Sequence, residues 1–87
     1  MRAVITVNGI DKVGILAKVA TGCMNANANI VDVSQTVMDG FFTMTMLVEI
    51  DAINSSFDGL KETMKQSVPD MQIRVMHEDI FNSMHRI

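Results

Sequence analysis

The chain has 87 residues, 48% hydrophobic and 20% charged, with one Pro; this excludes a disordered tail, a collagen-like chain and a low-complexity linker. A single Cys excludes a disulfide framework and a Cys-rich zinc site and fits a reducing, cytoplasmic setting. The net charge of −3, from seven Lys and Arg against ten Asp and Glu, gives no basic face for nucleic acid, and one domain with a radius of gyration of about 12 Å has no room for separate catalytic and substrate-binding domains.

Arg2 to Asn8 alternates, with Ala3, Ile5 and Val7 on one face, the period of a strand. Asn8 to Lys12 is turn chemistry. From Gly14 the pattern becomes helical: Ile15, Leu16, Val19, Ala20, Cys23 and Met24 form one broad apolar stripe. The run Asn25-Ala26-Asn27-Ala28-Asn29 ends this helix, because Asn competes for backbone bonds and tolerates the left-handed conformation. Ile30 to Met38 reads as a second strand with Val31, Val33 and Val37 on one face. Asp39-Gly40 is a strong hairpin signal, since both positions accept positive φ. Phe42, Met44, Met46, Val48 and Ile50 then alternate with Thr43, Thr45, Leu47 and Glu49, the clearest period of two in the chain.

Ser55 is expected to begin a second helix, with Asp58 completing a capping box and Phe57, Leu60 and Met64 as its stripe. Pro69 stops it. Met71, Ile73 and Val75 alternate with Gln72 and Arg74, a fourth strand. Ile80, Phe81, Met84 and Ile87 fall at helical spacing, a short terminal helix. The order βαββαβ, with right-handed crossovers, gives a ferredoxin-like α+β sandwich: two helices on one face of a four-stranded antiparallel sheet. The other face is expected to be bare and to carry Val4, Thr6, Met38, Phe41 and Leu47.

Mean hydropathy is +0.25, yet no run approaches the roughly 18 apolar residues of a spanning helix, and the apolar start is too short for a signal-peptide core. No membrane partner is expected. The surplus apolar side chains in so thin a domain point to a protein interface, most simply a homodimer or higher homo-oligomer.

The informative segment joins the first strand to the first helix. Gly14 lets the backbone approach a ligand closely, and the first helical amides, which have no intrahelical acceptor, favour a carboxylate. Asp11 stands where it can cap the helix or bind an ammonium group, and Lys12 where it can neutralise a second carboxylate. Both ends of an α-amino acid thus find partners within four residues. Asp11-Lys12-Val13-Gly14-Ile15-Leu16, followed by Asn29-Ile30 at the start of the second strand, resembles an ACT domain, closest to the small stand-alone ACT proteins. The resemblance covers residues 2 to about 77, with Val13 where the family often has Pro. It implies a regulatory homodimer with a small amino acid between the first loop of one subunit and the second-strand start of its neighbour. Asp11, Lys12, Gly14, Leu16, Asn29 and Ile30 would be the contacts. It also implies a domain over 1–77 with a helical extension over 78–87, no catalytic residues, no cofactor and a regulated protein partner.

Other chemistries fit less well. Cys23 reads as a buried structural thiol, and the nine Met as gap-filling core residues, not thioether ligands for copper. His77, Glu78, Asp79 and His85 cluster without an established metal spacing, so no metal site is assigned. An acylphosphatase-like enzyme needs an Arg in the first loop, which has Lys12 instead; an RNA-recognition sheet needs exposed aromatics and a basic surface, against four Phe, no Tyr or Trp and a net charge of −3; and a metal-trafficking domain needs paired cysteines, against one Cys. Two readings remain: an amino-acid-sensing regulatory dimer, and an interaction or dimerisation module without a small-molecule ligand.

Overall fold

The structure, a computed structural model, describes residues 1–84; the expectations for His85 and Ile87 lie outside the described residues. Elements follow in the order β1 (Arg2–Ile10), α1 (Ile15–Asn25), β2 (Asn29–Met38), β3 (Phe41–Glu49), α2 (Phe57–Ser67), β4 (Gln72–His77) and α3 (Glu78–Met84). The strands pair antiparallel in the order β2-β3-β1-β4. This is the ferredoxin-like sandwich that the hydrophobic periods predict, with a radius of gyration of 12.4 Å.

The core lies between the sheet and the α1–α2 layer. Ala3, Ile5 and Val7 of β1 face Val48, Met46 and Met44 of β3, all fully buried. Leu60 and Met64 of α2 and Val19 and Cys23 of α1 close it from above, also without exposure. Asp39 and Gly40 take φ of 50° and 80°, as the hairpin signal requires. At the end of α1, Asn27 adopts φ 60° and its amide side chain donates to the Ala52 carbonyl at 2.8 Å. The Asn-rich run therefore both stops the helix and ties it to the β3–α2 loop.

Four local expectations are corrected. First, Val31 does not share a face with Val33 and Val37. A β-bulge between Ile30 and Asp32 pushes Val31 out, 46% exposed, and puts Ile30 on the core face instead; an extra residue in one strand inverts the alternation beyond it. Second, the α1 stripe splits. Ile15, Val19 and Cys23 are buried, but Leu16 and Met24 are exposed, forming a second apolar line on the helix flank. Third, Ser56 and not Ser55 caps α2, its Oγ accepting from the Gly59 amide at 3.0 Å. With Gly at that third helical position, no side chain reaches back to close a capping box. Fourth, Val4 is not bare but 3% exposed. It sits between Leu47 and Met76 on the side of the sheet away from α1 and α2, and α3 packs against β1 and β4 there. Arg2 fixes α3 by a two-pronged bond to Glu78, Nε to Oε1 at 3.0 Å and Nη2 to Oε2 at 2.7 Å. Met38 and Phe41, at the far end of that face, remain exposed.

Candidate functional site

The β1–α1 loop is held from both sides. The Asp11 amide donates to the Gly40 carbonyl at 2.8 Å, joining the loop to the β2–β3 hairpin. Lys12 forms an ion pair with Asp70 in the α2–β4 turn, and this contact holds the Asp70 carboxyl below its ordinary value. Between these ties, Val13 projects into solvent, 99% exposed. Gly14 is the N-cap of α1 in the left-handed region, φ 87°, where a Cβ would be strained although no atom lies near enough to clash with it.

No side chain caps α1, and its first turn holds no acid. Of the two roles open to Asp11, capping is not made: its side chain is exposed, and among the described residues no side chain caps the opening amides of α1. Leu16, on the second residue of the helix, is 39% exposed. Asp11, Lys12, Gly14 and Leu16 thus lie together around one helix start.

Asn29 and Ile30 lie elsewhere. They follow the other end of α1, about 16 Å away along an eleven-residue helix. In the sheet, Asn29 pairs with Glu49 and Ile10 with Phe41, opposite ends of β3 separated by about 27 Å. Asn29 donates from Nδ2 to Glu49 Oε1 at 2.9 Å. With Ala20, Met24, Asn27 and Ala28 it lines a groove of about 380 Å³ beside Ile30. Met24 and Ala20 were not among the expected site residues. Their signal is helical spacing: Leu16, Ala20 and Met24 recur every four residues on the α1 flank that leads to β2.

A sequence model of the ACT domain matches residues 2–78. The chain belongs to the ACT domain family. A UPF0237 protein of Clostridium perfringens is 52% identical to it over 89 aligned positions and matches 100% of both chains. An ACT domain protein from Streptococcus pneumoniae superposes with a TM-score of 0.78 at 36% identity, covering 93% of each chain. The same fold recurs within a formyltetrahydrofolate deformylase from Pseudomonas syringae, TM-score 0.78 and 26% identity, where this chain spans 87% of its own length but 27% of that enzyme's. ACT domains are regulatory ligand-binding modules.

Within this ACT domain two members of the C-terminal His and acid cluster are already engaged. His77 stacks on Phe57 with ring centroids 4.1 Å apart, and Glu78 is taken by Arg2. Among the described residues no three His, Cys, Asp or Glu side chains are grouped to hold a metal ion, and no helix is long and apolar enough to cross a membrane. Cys23 is fully buried; burial pushes its thiol up to about 11, and its Sγ contacts Met46 Sδ at 3.8 Å. A thiol so protonated is a core residue and a poor nucleophile.

Proposed function

We propose that this ACT domain is a non-catalytic regulatory module that binds a small amino acid across a homodimer interface and thereby changes its affinity for a protein partner. The observation that carries the reading is the separation of the candidate contacts. Asp11, Lys12, Gly14 and Leu16 stand at one end of α1 and Asn29 and Ile30 at the other, while β2 offers ten residues of strand with, among the described residues, no strand paired on its outer side. Two β2 edges paired antiparallel about a two-fold axis bring the Asn29 end of each strand beside the Met38 end of its partner, the end that carries the partner's first loop. Leu16, Met24, Val31 and Val37, all exposed, supply apolar surface along the same edge.

In that assembly the uncapped amides of α1 receive the ligand carboxylate, and Asp11 receives its ammonium. The neighbour's Asn29 and Ile30 bound the side chain. Ligand held between subunits favours one dimer geometry, and that preference is the coupling to a partner. A thermal-shift screen over the amino acids tests this: ligand at a hundred times its dissociation constant adds about 2.7 kcal/mol of stability, and Asp11→Ala abolishes the shift without changing the melting temperature of the free protein. If no amino acid raises the melting temperature, the sensing reading fails.

A second reading, an interaction or dimerisation module without a small ligand, is favoured by one observation: Lys12 and Asn29 already have intramolecular partners, Asp70 and Glu49. It expects a stable dimer whose melting temperature no amino acid changes.

A further inference from the structure

The opposite edge of the sheet differs in kind from β2. Among the described residues, β4 pairs with β1 on one side only. In an antiparallel edge strand alternate residues direct their N–H and C=O groups outward, so three of the six residues of β4 present unpaired main chain along that edge. Two adjoining grooves, of about 610 and 340 Å³, run beside it from Gln72 to Met76 and share Lys65, Ile73 and Arg74. Lys61 completes the lining at the Met76 end.

The cations gather here. Among the described residues, Arg2 and Lys12 are in ion pairs, and Lys18 stands within electrostatic reach of Asp70. The remaining cationic side chains, Lys61, Lys65 and Arg74, are all exposed and form no ion pair. Lys61 Nζ lies 5.1 Å from the centre of the Phe57 ring. Glu62 is the acid in the grooves, and it accepts from Gln66 at 3.3 Å. A chain with net charge −3 therefore has a local positive edge.

The charges also sit on the two sides that an added strand would face. Lys61 and Lys65, one helical turn apart on α2, flank the helix side of β4. Arg74 pairs with Thr6 and shares its side of the sheet, opposite the core. Side chains of an extended peptide point alternately to the two sides, so acidic residues at successive positions reach both Lys61/Lys65 and Arg74. Two β4 edges brought together would set like charges against each other, which favours an acidic partner over a second copy of this chain. We infer that the β4 edge is a docking site for an acidic, extended segment of a partner protein, taken up by strand addition. This site requires neither the amino acid nor the dimer.

The probe is a fluorescein-labelled octapeptide, Glu-Glu-Val-Glu-Glu-Val-Glu-Glu, titrated with the wild-type protein in low salt and followed by fluorescence anisotropy. Saturable binding is expected, with amide shifts in NMR spectra confined to residues 72–77 and the adjoining face of α2. The triple variant Lys61→Gln, Lys65→Gln, Arg74→Gln weakens it at least tenfold, while the charge-conserving Lys61→Arg with Lys65→Arg keeps the affinity within threefold of wild type. All three positions are exposed, so far-UV circular dichroism and the melting temperature of the variant remain those of the wild type. No saturable binding by wild type, or affinity within twofold of wild type in the triple variant, overturns the inference. So does complete displacement by an equal charge concentration of inorganic phosphate, which identifies a bare anion site, and so do shifts confined to β2. An unchanged amino-acid thermal shift in the triple variant separates this site from the first loop.

Discussion

β2 and β4 are the two free edges of one four-stranded sheet, and they differ in length, charge and cover. β2 has ten residues, and its ionisable side chain is Asp32, whose Oδ1 accepts from the Val33 amide at 2.9 Å. Its valines Val31 and Val37 are exposed, as are Leu16 and Met24 of α1. β4 has six residues, carries Arg74 and is overlooked by Lys61 and Lys65. Edge strands pair with whatever offers complementary main chain unless charge forbids it. The β2 edge, with one acid in ten residues, can therefore pair with its own copy, whereas the positive edge repels its copy and attracts an acid-rich chain. One sheet can thus hold a homodimer interface and a partner interface without either competing for the other's surface.

The strongest way to break this comparison is to charge β2. Val31→Lys with Val37→Lys places two cations per chain in the proposed dimer interface at positions already exposed. The dimer dissociation constant should rise at least a hundredfold, about 2.7 kcal/mol, in sedimentation velocity, with the circular dichroism spectrum unchanged. Lys61→Gln with Lys65→Gln, on the other edge, should leave that constant within twofold. A charged β2 that still dimerises with wild-type affinity would move the self-association surface elsewhere.

The interior of the fold is far more legible in the sequence than its edges. β3 is covered on both flanks, so every second residue from Phe42 to Val48 is buried and a simple period of two finds them. β2 is covered on one flank only, and its bulge at Val31 shifts the alternation without leaving a Gly or Pro to mark it. The α1 stripe reads too broad because Leu16 and Met24 are apolar yet exposed, and helical spacing alone does not separate them from the buried Ile15, Val19 and Cys23. In the candidate site, Asp11 to Leu16 are local and so are found together. The Lys12–Asp70 pair spans 58 positions and depends on where the α2–β4 turn lands, which no local pattern encodes. Asn29 and Asp11 lie at opposite ends of α1, so the joint site proposed for them needs a second copy, which a single sequence does not display.

A second test asks whether one cooperative core supports both edges. Cys23 packs from α1 against Met46 of β3. Its thiol ionises near 11 in the folded protein against an ordinary 9.0. Between these values the unfolded chain has released the proton and the native chain retains it, so stability falls as pH rises from 9 towards 11. The expected loss is about 2 kcal/mol, measured by urea denaturation across that range. Cys23→Ala should flatten the slope in this window, whatever it does to stability at neutral pH. If the slope persists in Cys23→Ala, other groups cause it.

The smallest expected effect is the one most specific to how the two edges are joined. α1 packs beside β2 and α2 beside β4, and Gly22 is where the two helices come close. A Cβ there would lie 2.5 Å from Ser67 Oγ and 2.9 Å from Met64 Cε. Ser67 Oγ donates to the Thr63 carbonyl at 2.9 Å, and Met64 is fully buried, so making room costs the Ser67 hydrogen bond and repacks the Met64 thioether. Overpacking of this kind costs roughly 1–3 kcal/mol, against which replacing Gly in a helix interior returns about 1 kcal/mol. Gly22→Ala should therefore destabilise by about 1 kcal/mol in urea, and hydrogen exchange should show both α1 and α2 loosened. If only α1 responds, the helices move independently and the two edges are uncoupled. If both respond, a ligand that shifts α1 at the β2 edge has a mechanical route to α2, and through Lys61 and Lys65 to whatever is bound along β4.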